Sequence, residues 1–452
     1  MIRVMEIRKR VIESDAKGCR FVLEATRAVS IHVLLLHVGI TVWNLGCAFI
    51  DGLRLKVPRS WVQQILETVA FFFHSPAEYN LFSPWPAFMY LPTEWVLWIS
   101  KRLPPARLGR YDWHRKDGSV VRGWMYGVFF CPEQLDLMGL VGNVPWRVTR
   151  EEAIERVKQG VELARRRGAS LVGLGAYLPS LTKHGELLVE DPRLEGINLT
   201  TGHSCTIATI TQFVDYVVKR CHINLHAETV AILGAAGSTG RGMARMLAHM
   251  KMPNVLLVDR ESVGDKLAAL GKECRKLSPT SDIRCSAEPL DSGVLKEASI
   301  VIVLTTGVGS ILEPQHLSPG TIVLDDSKPR NCTQKRLGEM IAAGELVVID
   351  VLGEVPGLEI GFHYDLNPAV PDATYTCGKE LLLYRADERR GHGTVGEVTV
   401  ERVLDMIELM EETGTTSLPL ISFNQPLQDV DFNRFNVVRR RERRSNPQLR
   451  AG

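Results

Sequence analysis

The chain has 452 residues, 45% of them apolar, and a formal net charge of +2. That is enough for two or three domains with real cores, and the near-neutral charge supplies no electrostatic footprint for nucleic acid. Its nine cysteines (Cys19, Cys47, Cys131, Cys205, Cys221, Cys274, Cys285, Cys332 and Cys377) include no C-x-x-C pair and no Cys/His ligand spacing, which points to reduced thiols in a cytoplasmic protein and away from structural zinc.

Residues 1–105 read as a hydrophobic, aromatic-rich N-terminal region, either membrane-associated or a helical hairpin. From Ala28 to Ile50 there is no Asp, Glu, Lys or Arg, about the length that spans a bilayer as a helix, and basic residues from Arg3 to Arg27 precede it. No short apolar core followed by a cleavage site marks a removable signal peptide. Trp61 to Phe73 is apolar and amphipathic, and Tyr79 to Trp98 adds Phe82, Trp85, Phe88, Tyr90, Trp95 and Trp98 among prolines, an aromatic density that suits a membrane interface. A single crossing with its basic flank inside would place the rest of the chain outside the cytoplasm. The expected arrangements are therefore a re-entrant hairpin, a second short crossing or a helix lying in the interface, with a buried hairpin or dimer contact as the soluble alternative. Oligomeric state is not indicated.

Residues 106–225 read as an α/β substrate domain: strand signal in Gly118–Phe130, an amphipathic helix Arg150–Arg167 with Thr149 as N-cap and Gly168 as stop, a strand Ser170–Gly175 running into a glycine-rich loop, and helical periodicity from Thr206 to Cys221. Residues 226–366 carry the most informative stretch. Thr229–Leu233 is an apolar run, Gly234-Ala-Ala-Gly237-Ser238-Thr239-Gly240 follows, and Arg241–Met250 is helix-like. Strand, glycine turn and helix in that order present backbone amides at a helix N-terminus to a pyrophosphate. The next run, Asn254–Val258, ends at Asp259 and Arg260, where an acidic side chain would accept from a ribose hydroxyl. Further apolar runs at Ala298–Thr305, Thr321–Asp325 and Glu345–Asp350, separated by helical patterns, predict a doubly wound parallel Rossmann sheet, with Thr305 joining the glycines, Ser238, Thr239, Asp259 and Arg260 in the cofactor-binding set. Residues 367–415 are expected to hold helices at Cys377–Tyr384 and Val398–Glu412, and residues 416–452 a mobile basic tail with Arg439–Arg441, Arg443 and Arg444, free to touch anionic lipid.

Four segments then stand out: Leu174-Gly-Ala-Tyr177 with Ser180, Thr200-Thr201-Gly202-His203, the turn Asp325–Asn331, and Cys377 with Glu380 one helical turn on. Taken with the glycine turn, and over roughly Trp113 to Leu420, the chain resembles the long-chain fatty acyl-(acyl carrier protein) reductases that make fatty aldehydes. The resemblance implies that Cys377 takes an acyl group from the pantetheine thioester of acyl carrier protein or coenzyme A. Hydride then releases it as aldehyde, with Glu380, Ser180, Thr201 and His203 in the catalytic set and amides and hydroxyls near Thr200, Thr201 and Ser204 to hold the thioester oxygen. It implies NADPH, with Arg260 on the 2′-phosphate, whereas Asp259 by its residue type favours NADH. Lys379 beside the nucleophile either lowers the thiol pKa or faces solvent. The rival readings are a non-covalent dehydrogenase of a small hydroxy or amino acid, and a non-catalytic nucleotide-binding membrane scaffold.

Overall fold

The computed structural model describes residues 3–15, 18–57, 68–74, 81, 85–135, 144–288, 290–305, 311–327, 330–362, 370–387 and 391–445. Trp61, Tyr79, Phe82, Lys328 and Pro329, singled out above, lie outside them. The chain divides into two compact units: residues 1–201 with 356–367 and 384–396, and residues 202–355 with 368–383 and 397–452.

The first unit begins with an antiparallel hairpin, β1 (Arg3–Asp15) and β2 (Gly18–Ser30), and the apolar helix α1 (Ile31–Arg54). Its main sheet joins β3 (Thr68–His74), β4 (Ala106–His114), β5 (Val120–Val128), β6 (Ala169–Leu174) and β7 (Asn198–Thr200) to the strand Leu358–Phe362. The order is Leu358–Phe362, β4, β5, β3, β6, β7. From β5 through β7 the strands are parallel, while β4 runs antiparallel to both its neighbours, β5 and Leu358–Phe362.

This sheet corrects the reading of the aromatic stretch. Val69 to Phe72 is buried because β3 is a central strand, between β5 and β6, and a strand covered on both faces is apolar throughout. Phe72 stacks on Tyr126 with ring centroids 4.7 Å apart. Trp85 and Phe88 are likewise core, Trp85 meeting Phe129 edge-on at 4.6 Å. Of the described aromatics, only Trp95 and Trp98, on α2 (Thr93–Ser100), join α1 residues among the large exposed side chains. Helix α3 (Arg150–Arg166) starts as expected, with a reciprocal capping box: the Thr149 hydroxyl accepts from the Glu152 amide and the Glu152 carboxylate from the Thr149 amide.

The second unit opens with α4 (His203–Arg220), then β8 (Thr229–Leu233), α5 (Ser238–His249), β9 (Asn254–Val258), α6 (Gly264–Leu277), β10 (Asp282–Ser286), β11 (Ala298–Val303), β12 (Thr321–Asp325), α7 (Gln334–Ala343) and β13 (Leu346–Asp350). Its strands are all parallel in the order β10-β9-β8-β11-β12-β13, the doubly wound Rossmann arrangement with its switch point between β8 and β11. β10 is the strand the sequence did not announce, since Asp282-Ile-Arg-Cys-Ser286 is a polar edge with one buried residue of five. After α8 (Thr376–Ala386) comes α9 (Val400–Glu412), which packs on α4.

The expected basic tail is instead a helix, α10 (Asp429–Ser445). Phe432, Phe435 and Arg439 are buried on one face of it, at the three-to-four-residue spacing of a packed helix. Arg439 and Arg443 close on the buried carboxylate of Glu228, which also accepts from the Asn224 amide at 2.8 Å and the Ser299 hydroxyl at 2.6 Å. Burying a carboxylate is costly unless it is paired and hydrogen-bonded.

Candidate active site

The glycine turn lies at the switch point. Gly234 ends β8 with φ +87°, and a Cβ there would stand 2.8 Å from the Leu304 carbonyl oxygen and 3.1 Å from the Thr305 methyl. Only glycine lets β8 and the end of β11 approach so closely. A Cβ at Gly240 would collide with the Gly234 carbonyl oxygen, so the third glycine seats the helix against the turn. Helix α5 starts after Gly237 with no side-chain cap, which leaves its first-turn amides, those of Ser238, Thr239 and Gly240, as an anion site. These residues fit a dinucleotide pyrophosphate. Thr305 reaches from the end of β11 and donates its hydroxyl to Asn331. That asparagine belongs to a turn organised by the buried Asp325 carboxylate, which accepts from the Ser327 amide at 2.9 Å and the Cys332 amide at 3.3 Å.

Asp259 sits where expected, yet its carboxylate is occupied by backbone. Oδ2 accepts from the Ala236 amide inside the glycine turn and Oδ1 from the Arg260 amide, both at 2.8 Å. Arg260 is exposed beside it.

Cys377 is the second residue of α8, and the start of α8 meets the start of α4. Gly202, at φ +74°, directly precedes α4, and a Cβ on it would collide with Cα and Cβ of Cys377. Two positive helix ends are thus brought together. Glu380 compensates: fully buried, it accepts from the Cys205 amide in the first turn of α4 at 2.9 Å, the bond an N-cap carboxylate makes. Thr206 and Thr376 share a hydroxyl hydrogen bond at 2.6 Å across the same junction. His203, the first residue of α4, places its Nδ1 3.4 Å from the Ser238 hydroxyl, so that the α4–α8 junction and the glycine turn are joined through these two side chains.

The electrostatics at Cys377 differ from what a helix start implies. Burial first and the Asp326 carboxylate second push the thiol up to about 12, against a smaller lowering by local backbone N–H groups. Lys379 is fully buried rather than solvent-facing, and its ammonium donates to the Thr415 carbonyl. Burial lowers its own pKa, opposed by the Cys205 and Glu354 charges. Cys205 is buried with its thiol pushed up to about 12, which marks it as a packing residue.

Ser180 and Thr201 belong to the first unit. Ser180 lies half-buried on the helical turn Leu178–Leu181 after β6. Both donors of Thr201 are used, its amide and hydroxyl reaching the Thr394 carbonyl at 2.8 and 3.0 Å. The residues that sequence reasoning left out of the site are Gly202 and Asp326. The first had a signal, a glycine immediately ahead of a helix, and the second lay in a turn already singled out.

No protein-family model matches the chain. It is similar to the aminotransferase PigE of Serratia sp. (24% identity over 275 residues, 60% of this chain and 30% of that protein). It is also similar to the long-chain acyl-[acyl-carrier-protein] reductase of Synechococcus elongatus (24% over 229 residues, 50% of this chain and 61% of that protein). A third relative is the glutamyl-tRNA reductase of Caldivirga maquilingensis (26% over 259 residues, 56% of each). The matches therefore span between about a third and three fifths of those curated relatives. Among solved structures, the chain is similar to the Δ(1)-pyrroline-2-carboxylate reductase of Thermococcus litoralis in complex with NADH and L-proline. That match has 14% identity and a TM-score of 0.26, and covers 50% of this chain and 71% of that one. Two of the three curated relatives are reductases, and the second unit has the sheet order of a dinucleotide-binding fold.

Proposed function

We propose that the chain is an NAD(P)H-dependent reductase that receives a fatty acyl group on Cys377 from a thioester of acyl carrier protein or coenzyme A and releases it as fatty aldehyde. The observation that carries the reading is the placement of Cys377 at the α4–α8 junction, within the same unit as the glycine turn. The resemblance in motif order and the similarity to the Synechococcus reductase support the substrate class.

With its thiol held far above neutral pH, Cys377 attacks as a thiol losing its proton rather than as a standing thiolate. Asp326, whose charge reaches the sulfur, is assigned the proton. The sulfur–carbonyl bond forms, the carrier's thiol leaves with a proton, and the acyl group remains on Cys377. The turn from Gly234 to Gly240 would hold the dinucleotide, whose nicotinamide, when bound, would supply the hydride for the thioester carbon. His203, in contact with the turn through Ser238, is assigned proton delivery at the substrate oxygen, and the carbon–sulfur bond then breaks to free aldehyde and the Cys377 thiol. Glu380 is a positioning residue, holding the start of α4 against that of α8. Because Asp259 already accepts two amides and Arg260 stands exposed beside it, the ribose end favours Arg260 on a 2′-phosphate, hence NADPH over NADH.

The test is to offer the purified chain a long-chain acyl thioester with NADPH and to measure nicotinamide oxidation and aldehyde together. Equal amounts of both, abolished in Cys377→Ala, support the reading. Oxidation driven only by small hydroxy or keto acids and untouched by Cys377→Ala returns the assignment to a non-covalent dehydrogenase.

A further inference from the structure

Helix α1 is amphipathic in the reverse sense for a protein surface. Its inward positions carry the polar groups: His37 Nδ1 lies 2.7 Å from the Tyr90 hydroxyl, Thr41 accepts from the Ala87 amide at 2.9 Å, and Asp51 pairs with Arg167 at 3.3 Å while accepting from the Arg107 amide at 3.2 Å. With half-buried Leu45 and buried Ala48 they recur at three- and four-residue steps, the period of one helix face. The opposite face is apolar. Leu36, Val42, Trp43, Phe49, Ile50 and Leu53 are each more than half exposed, Trp43 by 75%. Every exposed residue from 35 to 53 is aliphatic, aromatic, glycine or cysteine. Helix α2, in the same core cluster as α1, adds exposed Trp95 and Trp98, with the Arg102 guanidinium 3.7 Å above the Trp98 ring. Exposed Lys56 and Arg102 lie near the ends of these helices.

We infer that the outer face of α1, with Trp95 and Trp98, is a docking surface for an anionic lipid bilayer, and that α1 lies in the plane of the interface rather than crossing it. Two features select a bilayer over a second protein chain. Over about 27 Å of helix the hydrogen-bonding side chains of this face are the Trp43 indole and the weakly bonding Cys47 thiol, whereas protein interfaces carry about one hydrogen bond per 100–200 Å². Its chemistry is that of the headgroup boundary: indoles, aliphatic side chains and neighbouring cations. The inward face selects the in-plane arrangement. A segment from Leu34 to Arg54 is 21 residues long with a mean hydropathy of 1.5, long enough to span. Spanning, however, would strip His37, Thr41 and Asp51 of partners that fix the helix along its length. This inference does not depend on the proposed reaction, since no part of its test measures reduction.

The test uses the full chain with phosphatidylcholine vesicles, with and without phosphatidylglycerol. A polarity-sensitive dye is placed on exposed Cys47, with adduct mapping to confirm the site. Co-sedimentation that increases with phosphatidylglycerol, a blue shift, and quenching by shallow but not deep lipid-borne quenchers are expected. Trp43→Glu and Ile50→Glu, made at positions already exposed, should each weaken vesicle binding roughly tenfold with unchanged circular dichroism. Deep quenching, absence of vesicle binding, or self-association that the two variants abolish while vesicles bind neither form would each overturn it.

Discussion

The start of α5 and the start of α8 are both helix N-termini in the same unit, and they have opposite electrostatic character. At α5 nothing caps the first turn, glycines bring backbone amides to the surface of the turn, and the end is available to an anion. At α8 the neighbouring helix start presses on Cys377 through Gly202, a buried glutamate answers the paired dipoles, and Asp326 with burial drives the thiol upward. A helix N-terminus is therefore not by itself an activating environment. What packs against it decides whether it receives an anion or holds a proton.

The largest expected effect comes from Gly202. Gly202→Ala places a methyl group into Cys377 at a positive φ and should cost about 3 kcal/mol or more, read as loss of the cooperative thermal transition or of soluble protein. A variant that melts like the parent would show that α4 and α8 do not abut as described. Next is Glu380. Replacement by Ala leaves the Cys205 amide buried without its acceptor and should destabilise by about 1–3 kcal/mol, whereas Glu380→Gln keeps an acceptor and should lose less in the same melts. Equal losses would mean that charge, rather than the hydrogen bond, joins the two helices.

A smaller effect probes the raised thiol. Alkylation of Cys377 should climb about tenfold per pH unit from 7 to 10 without a plateau, because the thiolate fraction keeps growing until the pKa near 12. Asp326→Asn removes a charge that disfavours the thiolate, so at fixed pH the rate should rise by up to about tenfold for each pKa unit recovered. A plateau near neutral pH would contradict the electrostatic contrast between the helix starts. The smallest effect is at the ribose end, just after β9, where Arg260→Ala should raise KM for NADPH by about three- to tenfold and leave NADH nearly unchanged. Equal changes for both cofactors would assign the ribose to Asp259.

Local order was legible in the sequence wherever neighbours along the chain determine it. The runs that became β8, β9, β11, β12 and β13 are continuous apolar strands, as a sheet covered on both faces requires. Thr149 and Glu152 announced the start of α3, and the glycine spacing announced the turn. Features set by tertiary contacts were not legible. Val69 to Phe72 has the composition of a membrane segment, and only its place between β5 and β6 makes it core. The Arg-rich end of the chain reads as solvated until Phe432 and Phe435 are seen to anchor it and Glu228 to receive its arginines. Asp326, far from Cys377 in the sequence, reaches its thiol only through the fold.

The most direct test of the central claim is a trapping experiment. The chain is incubated with a long-chain acyl thioester in the absence of nicotinamide, digested at neutral pH and examined by mass spectrometry. The account predicts one acyl adduct on the peptide containing Cys377, discharged as aldehyde when NADPH is added before digestion. An unmodified Cys377 peptide from protein that still turns over acyl thioester would contradict it.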